Sequence, residues 1–448
     1  MMVYEAATDE LLWLDESTVE VLRRAEGLLE VAPVALPTGE NLLGVNHHFG
    51  WPVATMAQGA IVVVFNRAPC HWGRGVGPDA FSTDVAMVRS TDGGATWSSP
   101  RDLRAVIAGG AENGAAWSQQ LAGTMPKKLP GVRAGMRAIG ATQSGAIVLV
   151  ARSGVFRSED GGVTWAHFAG AFGEEQLRGP LCNLGPNLVE HPRMGLVVAG
   201  HDVESKSCPH THGRMPTQLW MRWSRDGGRH WEEAVQEMGV DCAPCEPAML
   251  LHDGMLLLVA RNHAMQAEDL ERGLWHYVQL TSDRGWLPTT PRATNIVATD
   301  AKRRHAGTPV PEGFALKPDM GAWTQDTVDV SFNPVTQRVE VVATDRNGEA
   351  GAGAGNTGTM QTLGLWSIGL KELWQGSALY RYEGTLLRRL GIAHLEQVDG
   401  LHPGGAVIDA ARGVQHVFVY AGRSRHGPTG IYRITRSLDT PRLRGVLG

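Results

Sequence analysis

Two histidines stand side by side, His47 and His48, in the segment NHHFGWP that covers residues 46–52. Beyond a turn and an apolar run, the segment FNRAPCHW at residues 65–72 adds Arg67, His71 and Trp72. If the two segments are the ends of one hairpin, an imidazole pair, a guanidinium and the indoles of Trp51 and Trp72 share one place. Imidazoles exchange protons near neutral pH, and a guanidinium neutralises a carboxylate. His48 and His71 are therefore the acid/base candidates, Arg67 is the candidate partner of a negative charge, and His47 competes with His48. A structural alternative stands beside this one, with one histidine capping a strand end and the other buried and hydrogen-bonded.

Other polar residues flank similar hairpins. Glu246 precedes one and Arg261 and His263 follow it; Asp399 and His402 precede another that ends at Arg423 and His426; Arg137 and Arg152 bracket a third. Taken singly each is ordinary solvated rim. Converging, they make a pocket for an anionic sugar, with arginines for its carboxylate and aromatic faces for its ring. The 5 cysteines cannot all pair. Cys208-Pro-His210-Thr-His212 on an extended segment presents alternate side chains to one point, and Cys242-Ala-Pro-Cys245 is a common half of a tetrahedral zinc site. A closed structural zinc that staples two loops is the expectation, against separate loop cysteines and surface histidines.

These groups are to be positioned by strands. Short Val/Ile/Leu runs bounded by Gly, Asp and Asn recur along the 448 residues, whereas long helical periodicity is hard to find. A turn returns three times, as STDGGATW at residues 90–97, SEDGGVTW at 158–165 and SRDGGRHW at 224–231, with a weaker echo, TSDRGW, at 281–286. Its Asp and Ser accept backbone N–H groups, its glycines supply positive φ, and its Trp packs between sheets, so its role is structural. A repeat longer than about 50 residues points to a propeller of four-stranded blades. Six hairpins with a very apolar second strand can be traced, Phe49 to Asn66, Ala138 to Ala151, Asn187 to Gly200, Ala248 to Ala260, Val328 to Thr344, and Ala406 to Gly422. In such an architecture the start of each first strand and the end of each second strand share one face, away from the acidic turns. The candidate residues above then line a single funnel.

Mixed charge with a net of −5 and no basic stripe excludes nucleic acid as the natural partner. The acidic N-terminus lacks the pattern of a secretory signal and no apolar run reaches membrane-spanning length, so a cytoplasmic location and no membrane partner are expected. No glycine-rich phosphate loop stands between a strand and a helix, so no organic cofactor is expected.

The motif S-x-D-G-G-x-T-W resembles the Asp-box of the sialidase (BNR-repeat) superfamily, which closes the hairpin between the third and fourth strands of a blade. The HFGWP start of an inner strand, with a second His beyond the next strand, resembles the seven-bladed propellers that cleave uronate-containing glycans. These are the ulvan and rhamnose-glucuronate lyases and the α-L-rhamnosidases acting on rhamnosyl-glucuronate. The resemblance implies that His48 is the leading acid/base group and His71 the second histidine of the lyase pattern. The lyases also use a tyrosine, and none of the 6 tyrosines, Tyr4, Tyr277, Tyr380, Tyr382, Tyr420 and Tyr432, falls in the second blade. A true sialidase needs an arginine where this chain reads FGWP.

The sequence thus specifies one all-β domain over residues 1–448, a β-propeller with seven blades on resemblance and six on the visible hairpins. Its expected function is cleavage of a rhamnose-uronate linkage in an oligosaccharide by a histidine-dependent glycoside hydrolase. A polysaccharide lyase on the same linkage, an exo-sialidase and a non-catalytic carbohydrate-binding propeller are the alternatives. Expected site residues are His48, His71 and Arg67 for catalysis, and His47, Trp51, Trp72, Arg137, Arg152, Glu246, Arg261, His263, His402 and Arg423 for substrate. Arg67 and Arg261 are expected to neutralise the uronate.

Overall fold

The computed structural model describes residues 28–37, 47–68, 84–103, 137–151, 154–168, 171, 183–202, 218–232, 236–238, 244–262, 275–282, 285–286, 292–296, 325–345, 360–390, 399–422 and 428–439. Antiparallel strands dominate them, grouped in four-stranded meanders that are the blades of a β-propeller. The first blade runs through His48–Ala57, Ala60–Ala68, Asp84–Ser90 and Arg101–Asp102. The second has Ala138–Ala141, Ile147–Ala151, Gly154–Ser158 and Ala166–Phe168. The third has Asn183–His191, Gly195–Asp202, Gln218–Ser224 and Gln236–Met238. The fourth is built on Pro244–His252, Met255–Asn262, Trp275–Ser282 and Arg292–Ala293. The fifth has Gln325–Asn333, Arg338–Asp345, Met360–Gly369 and Arg381–Leu390. In the last, Asp399–Gly400 and Val407–Asp409 form the inner edge and pair with Val414–Gly422, which pairs with Thr429–Ser437. The N-terminal strand Leu28–Ala35 supplies the outermost position of this last blade, antiparallel to Thr429–Ser437.

The core lies between blades, which explains why the second strands read as continuous apolar runs: both of their faces are covered. In Ala60–Ala68, Ile61, Val63 and Phe65 pack with Phe418 and Ile431 of the last blade. Val62 and Val64 point the other way, against Ile139, Ile147 and Leu149 of the second. Comparable clusters join each later blade to the next, through Trp220 and Trp231, Met249 and Leu258, Val330 and Trp366, and Leu401 and Val419. Six blades can thus be traced among the described residues, each packed on the next and the last on the first. The seventh implied by resemblance has no strands among them.

The acidic turns are built as their sequence requires. Ser90 donates to Asp92 (2.8 Å) and accepts the Gly94 N–H (2.7 Å), while the Thr96 amide donates to Asp92 (3.0 Å). The same hub recurs at Ser158 and Asp160, and at Ser224 and Asp226, where Trp165 and Trp231 close the turn by donating to the Gly162 and Gly228 carbonyls (3.2 Å each). Hydrogen bonds from Thr96 and Ser90 hold the Asp92 carboxyl well below the usual carboxylate range. Gly94, Gly162 and Gly228 have φ of 86°, 90° and 96°, a region that side chains resist. Each turn is gripped by an arginine of the preceding blade: Arg433 reaches the Gly93 carbonyl (3.0 Å), Arg89 that of Gly161 (2.6 Å) and Arg157 that of Gly227 (3.2 Å). The echo at 281–286 is a hairpin end pairing Thr281 with Trp286. A further Ser-x-Asp start, at Ser437 and Asp439, makes the same serine-to-aspartate bond in the last blade.

The inner strands are sheet edges, and side chains satisfy part of their backbone. The Asn187 amide brackets Met249, accepting its N–H (2.8 Å) and donating to its carbonyl. Asp329 accepts the N–H groups of Val330 (2.9 Å) and Ala406. Asn187, Asp329, Val330 and Ala406 line an axial cavity of about 300 Å³ together with Thr55, Ile139 and Gly140.

Candidate functional site

Inner strands do not run straight into the funnel. Their pairing slips between Gly50 and Val53, between Leu184 and Leu188, between Cys245 and Ala248, and between Gln325 and Val328, the same place in four blades. Such bulges turn a strand and re-aim its side chains. Two of them put a bulky residue at positive φ, Trp51 at 49° and Glu246 at 53°, and Leu401 takes 58° at the corresponding point of the last blade. Conformations of this kind cost roughly 1–3 kcal/mol each and cluster where a site must be shaped. In both bulges a proline follows, Pro52 and Pro247, and its carbonyl lies against a glycine of a neighbouring blade, Gly404 and Gly185, where a Cβ would meet it at 1.6 and 1.8 Å.

Around Trp51 the structure gathers two imidazoles and a phenol. His48 is fully buried, its ring 5.9 Å from Trp51 and 5.7 Å from Tyr420. Tyr420 lies 5.4 Å from Trp51 and stacks on His402 at 5.0 Å, and His402 is 6.2 Å from Trp51. Gly50 makes room for this cluster, since a Cβ there would already sit 3.3 Å from the His48 ring and 3.8 Å from Tyr420. The first blade reaches the last through His47, whose carbonyl accepts the Thr429 N–H (3.2 Å). The arrangement can exchange protons through imidazole and phenol groups held in an apolar wall, and its indole offers a face for a sugar ring.

Three arginines stand at the same end of the strands and differ in their partners. Arg67 contacts Asp102 at 3.5 Å, and Arg261 pairs with Glu246 at 3.2 Å. Glu246 is itself fixed by its amide, which donates to Nδ1 of His201 (3.1 Å). Burial pushes His201 down to about 4, with Glu246 opposing and Arg261 adding to the shift, so a neutral imidazole accepts this bond at neutral pH. Arg137 donates from Nη2 to the Trp51 carbonyl (3.3 Å) and is 2% exposed. Burial lowers its pKa to about 9.

The sequence expectations divide accordingly. His48, Trp51 and His402 come together, and Arg137 touches the Trp51 backbone. Glu246 and Arg261 form their own pair, as do Arg67 and Asp102. His71, Trp72, Arg152, His263 and Arg423 lie outside the described residues, as do Cys208, His210, His212 and Cys242 and the side chain of Cys245, so the zinc expectation falls there too. Among the described residues no cluster of three His, Cys, Asp or Glu forms a metal site. Two participants were not singled out by sequence. Tyr420 ends the second strand of the last blade, and the contact of that blade with the first, which brings it to His48, is not visible in a linear reading. His201 directly follows the Asn187-to-Gly200 hairpin and belongs to no motif.

Several solved structures similar in fold to this chain are sialidases. A mutant of the NanB sialidase from Streptococcus pneumoniae is similar with a TM-score of 0.51 and 10% identity, over 91% of this chain and 71% of that one. NanB in complex with 2-[(3-chlorobenzyl)ammonio]ethanesulfonate gives 0.50 and 9%, over 95% and 73%. A Hadza microbial sialidase shares 12% identity with a TM-score of 0.49, and this chain spans 66% of its length, just under two thirds. No protein-family model matches the sequence, and no curated protein matches it. At these identities the likeness is one of fold: the chain carries a β-propeller of the kind seen in sialidases. No helix among the described residues is long and apolar enough to cross a membrane.

Proposed function

We propose that this protein is a glycan-cleaving enzyme, a histidine-dependent glycoside hydrolase acting on rhamnose-uronate linkages of oligosaccharides. The observation that carries this reading is the packing of His48, His402 and Tyr420 around the indole of Trp51, whose backbone is held at positive φ, at the funnel end of the inner strands. In hydrolysis the glycosidic C–O bond breaks, the leaving oxygen takes a proton and water supplies its hydroxyl to the anomeric carbon. His48 is the group assigned to that proton transfer, and Trp51 supports the sugar ring. The sialidase folds of the neighbouring structures support an oligosaccharide as the partner. An exo-sialidase reading is disfavoured by Gly50, whose surroundings are filled by His48 and Tyr420 rather than by an arginine.

One contact favours a second reading, a lyase. The phenol ring of Tyr420 lies 5.7 Å from the His48 ring, so a base and a proton donor are adjacent. β-Elimination would remove the proton beside the uronate carboxyl and protonate the departing oxygen, with no water consumed. Mass spectrometry and ultraviolet absorbance on rhamnosyl-glucuronate oligosaccharides separate the two. Fragments that gain one water establish the hydrolase. Fragments without added water that absorb as unsaturated uronates establish the lyase. An uncleaved panel contradicts both.

A further inference from the structure

We infer that the negative group of the substrate is held by Arg137, in a niche between the first and second blades that also contains Asn66, and that this group is a carboxylate. The inference rests on the uronate reading above and locates its anion. Of the three arginines described at this end, Arg67 and Arg261 already face Asp102 and Glu246. Arg137 faces no carboxylate among the described residues. Its Nη2 is used on the Trp51 carbonyl, while Nε and Nη1 are buried with no hydrogen-bond partner among those residues. Most of the donors of the guanidinium fork are thus left without an acceptor.

Asn66 repeats the observation. It is 2% exposed, and both Oδ1 and Nδ2 are buried without a hydrogen-bond partner among the described residues. It pairs in register with Gly50, one residue from the bulge whose carbonyl Arg137 holds. Strand alternation puts Asn66 on the face of Val62 and Val64, the face packed against Ile139 and Leu149 of the blade that Arg137 opens. Two orphaned polar side chains therefore share one inter-blade interface, at its funnel end.

A buried cation without a counter-charge costs several kcal/mol, and a folded protein keeps it where something else supplies the anion. Arg137 is well placed for this, since its bond to Trp51 ties it to the residue on which the sugar is proposed to stack. Its burial also dries the ion pair, so an anion bound there gains more than at a wet surface. Asn66 adds an amide donor for a carboxylate oxygen or a neighbouring hydroxyl.

The test is calorimetric titration of the full chain with methyl glucuronide, methyl glucoside and methyl glucoside 6-sulfate, for the wild type, Arg137→Met and Arg137→Lys. The wild type is expected to prefer the glucuronide over the glucoside at least tenfold. Arg137→Met removes this preference and, by eliminating an unpaired buried charge, keeps or raises Tm; Arg137→Lys retains a weakened preference. An undiminished preference in Arg137→Met overturns the inference, and if that variant does not fold, an undiminished preference in Arg137→Lys does the same. Tighter binding of the sulfate overturns the carboxylate assignment. Cleavage assays keep the two claims apart: a wild type that cleaves uronate substrates while Arg137→Met keeps its KM refutes only the niche, whereas a wild type that neither binds nor cleaves them refutes both.

Discussion

Glu246 shows how single residues of the funnel are held. Its backbone is forced to positive φ, its amide rests on His201 and its carboxylate on Arg261. Glu246→Gln leaves the buried Arg261 without its counter-charge, and a loss of about 3 kcal/mol in unfolding free energy is expected from denaturant titration. His201 gives a pH signature. Its folded pKa of about 4 lies below the usual 6.5, so between these values the unfolded chain binds a proton that the folded chain refuses. This contribution is complete above about pH 6.5 and declines as the pH falls toward about 4. His416 acts in the same direction, whereas Asp329, raised by burial to about 6, works against them between its two pKa values. His201→Asn keeps an acceptor for the Glu246 amide, and a flatter fall of Tm between pH 6.5 and 4 is expected; an unaltered fall contradicts the assignment. Sequence reading picks out the histidines, Trp51 and the arginines because their types are unusual at strand ends, and of these the structure packs His48, Trp51 and His402 together. It did not reach which arginine is neutralised internally, since Asp102 and Glu246 are identified as partners only by their packing.

At the scale of elements, the acidic turns were legible in full. The Ser, Asp and Gly positions make the bonds expected of them, and none reaches the funnel. Ser158→Ala removes the donor to Asp160 and the acceptor of the Gly162 amide, and is expected to cost about 1–2 kcal/mol in stability with kcat unchanged. A changed kcat with unchanged stability would link this turn to the site. What sequence did not reveal is the arginine grip of each turn by the preceding blade, because Arg89, Arg157 and Arg433 look like ordinary solvated strand residues. Nor did it reveal the inner-strand bulges, two of which set Pro52 and Pro247 against glycines of neighbouring blades.

For the whole molecule, ring closure depends on strand exchange between the chain ends. Leu28–Ala35 lies beside Thr429–Ser437, and Glu30 makes an ion pair with Arg433, which also grips the first acidic turn. A chain lacking residues 1–35 exposes Thr429–Ser437 as an unpaired edge. It is expected to aggregate or to unfold at a markedly lower Tm, and unchanged cooperative unfolding would contradict this account of closure. Leu28–Ala35 falls outside the hairpins traced in the sequence because this strand has no hairpin partner near it in the chain. The propeller itself was legible, since repeated turns and hairpins are local features.

The central claim is that His48 performs the proton transfer in a funnel that binds an acidic oligosaccharide. Its most direct test compares the wild type with His48→Gln on one rhamnosyl-glucuronate substrate, following turnover by mass spectrometry and binding by calorimetry. The account predicts at least a hundredfold loss of turnover with binding retained within a few-fold. Full turnover by His48→Gln would contradict it.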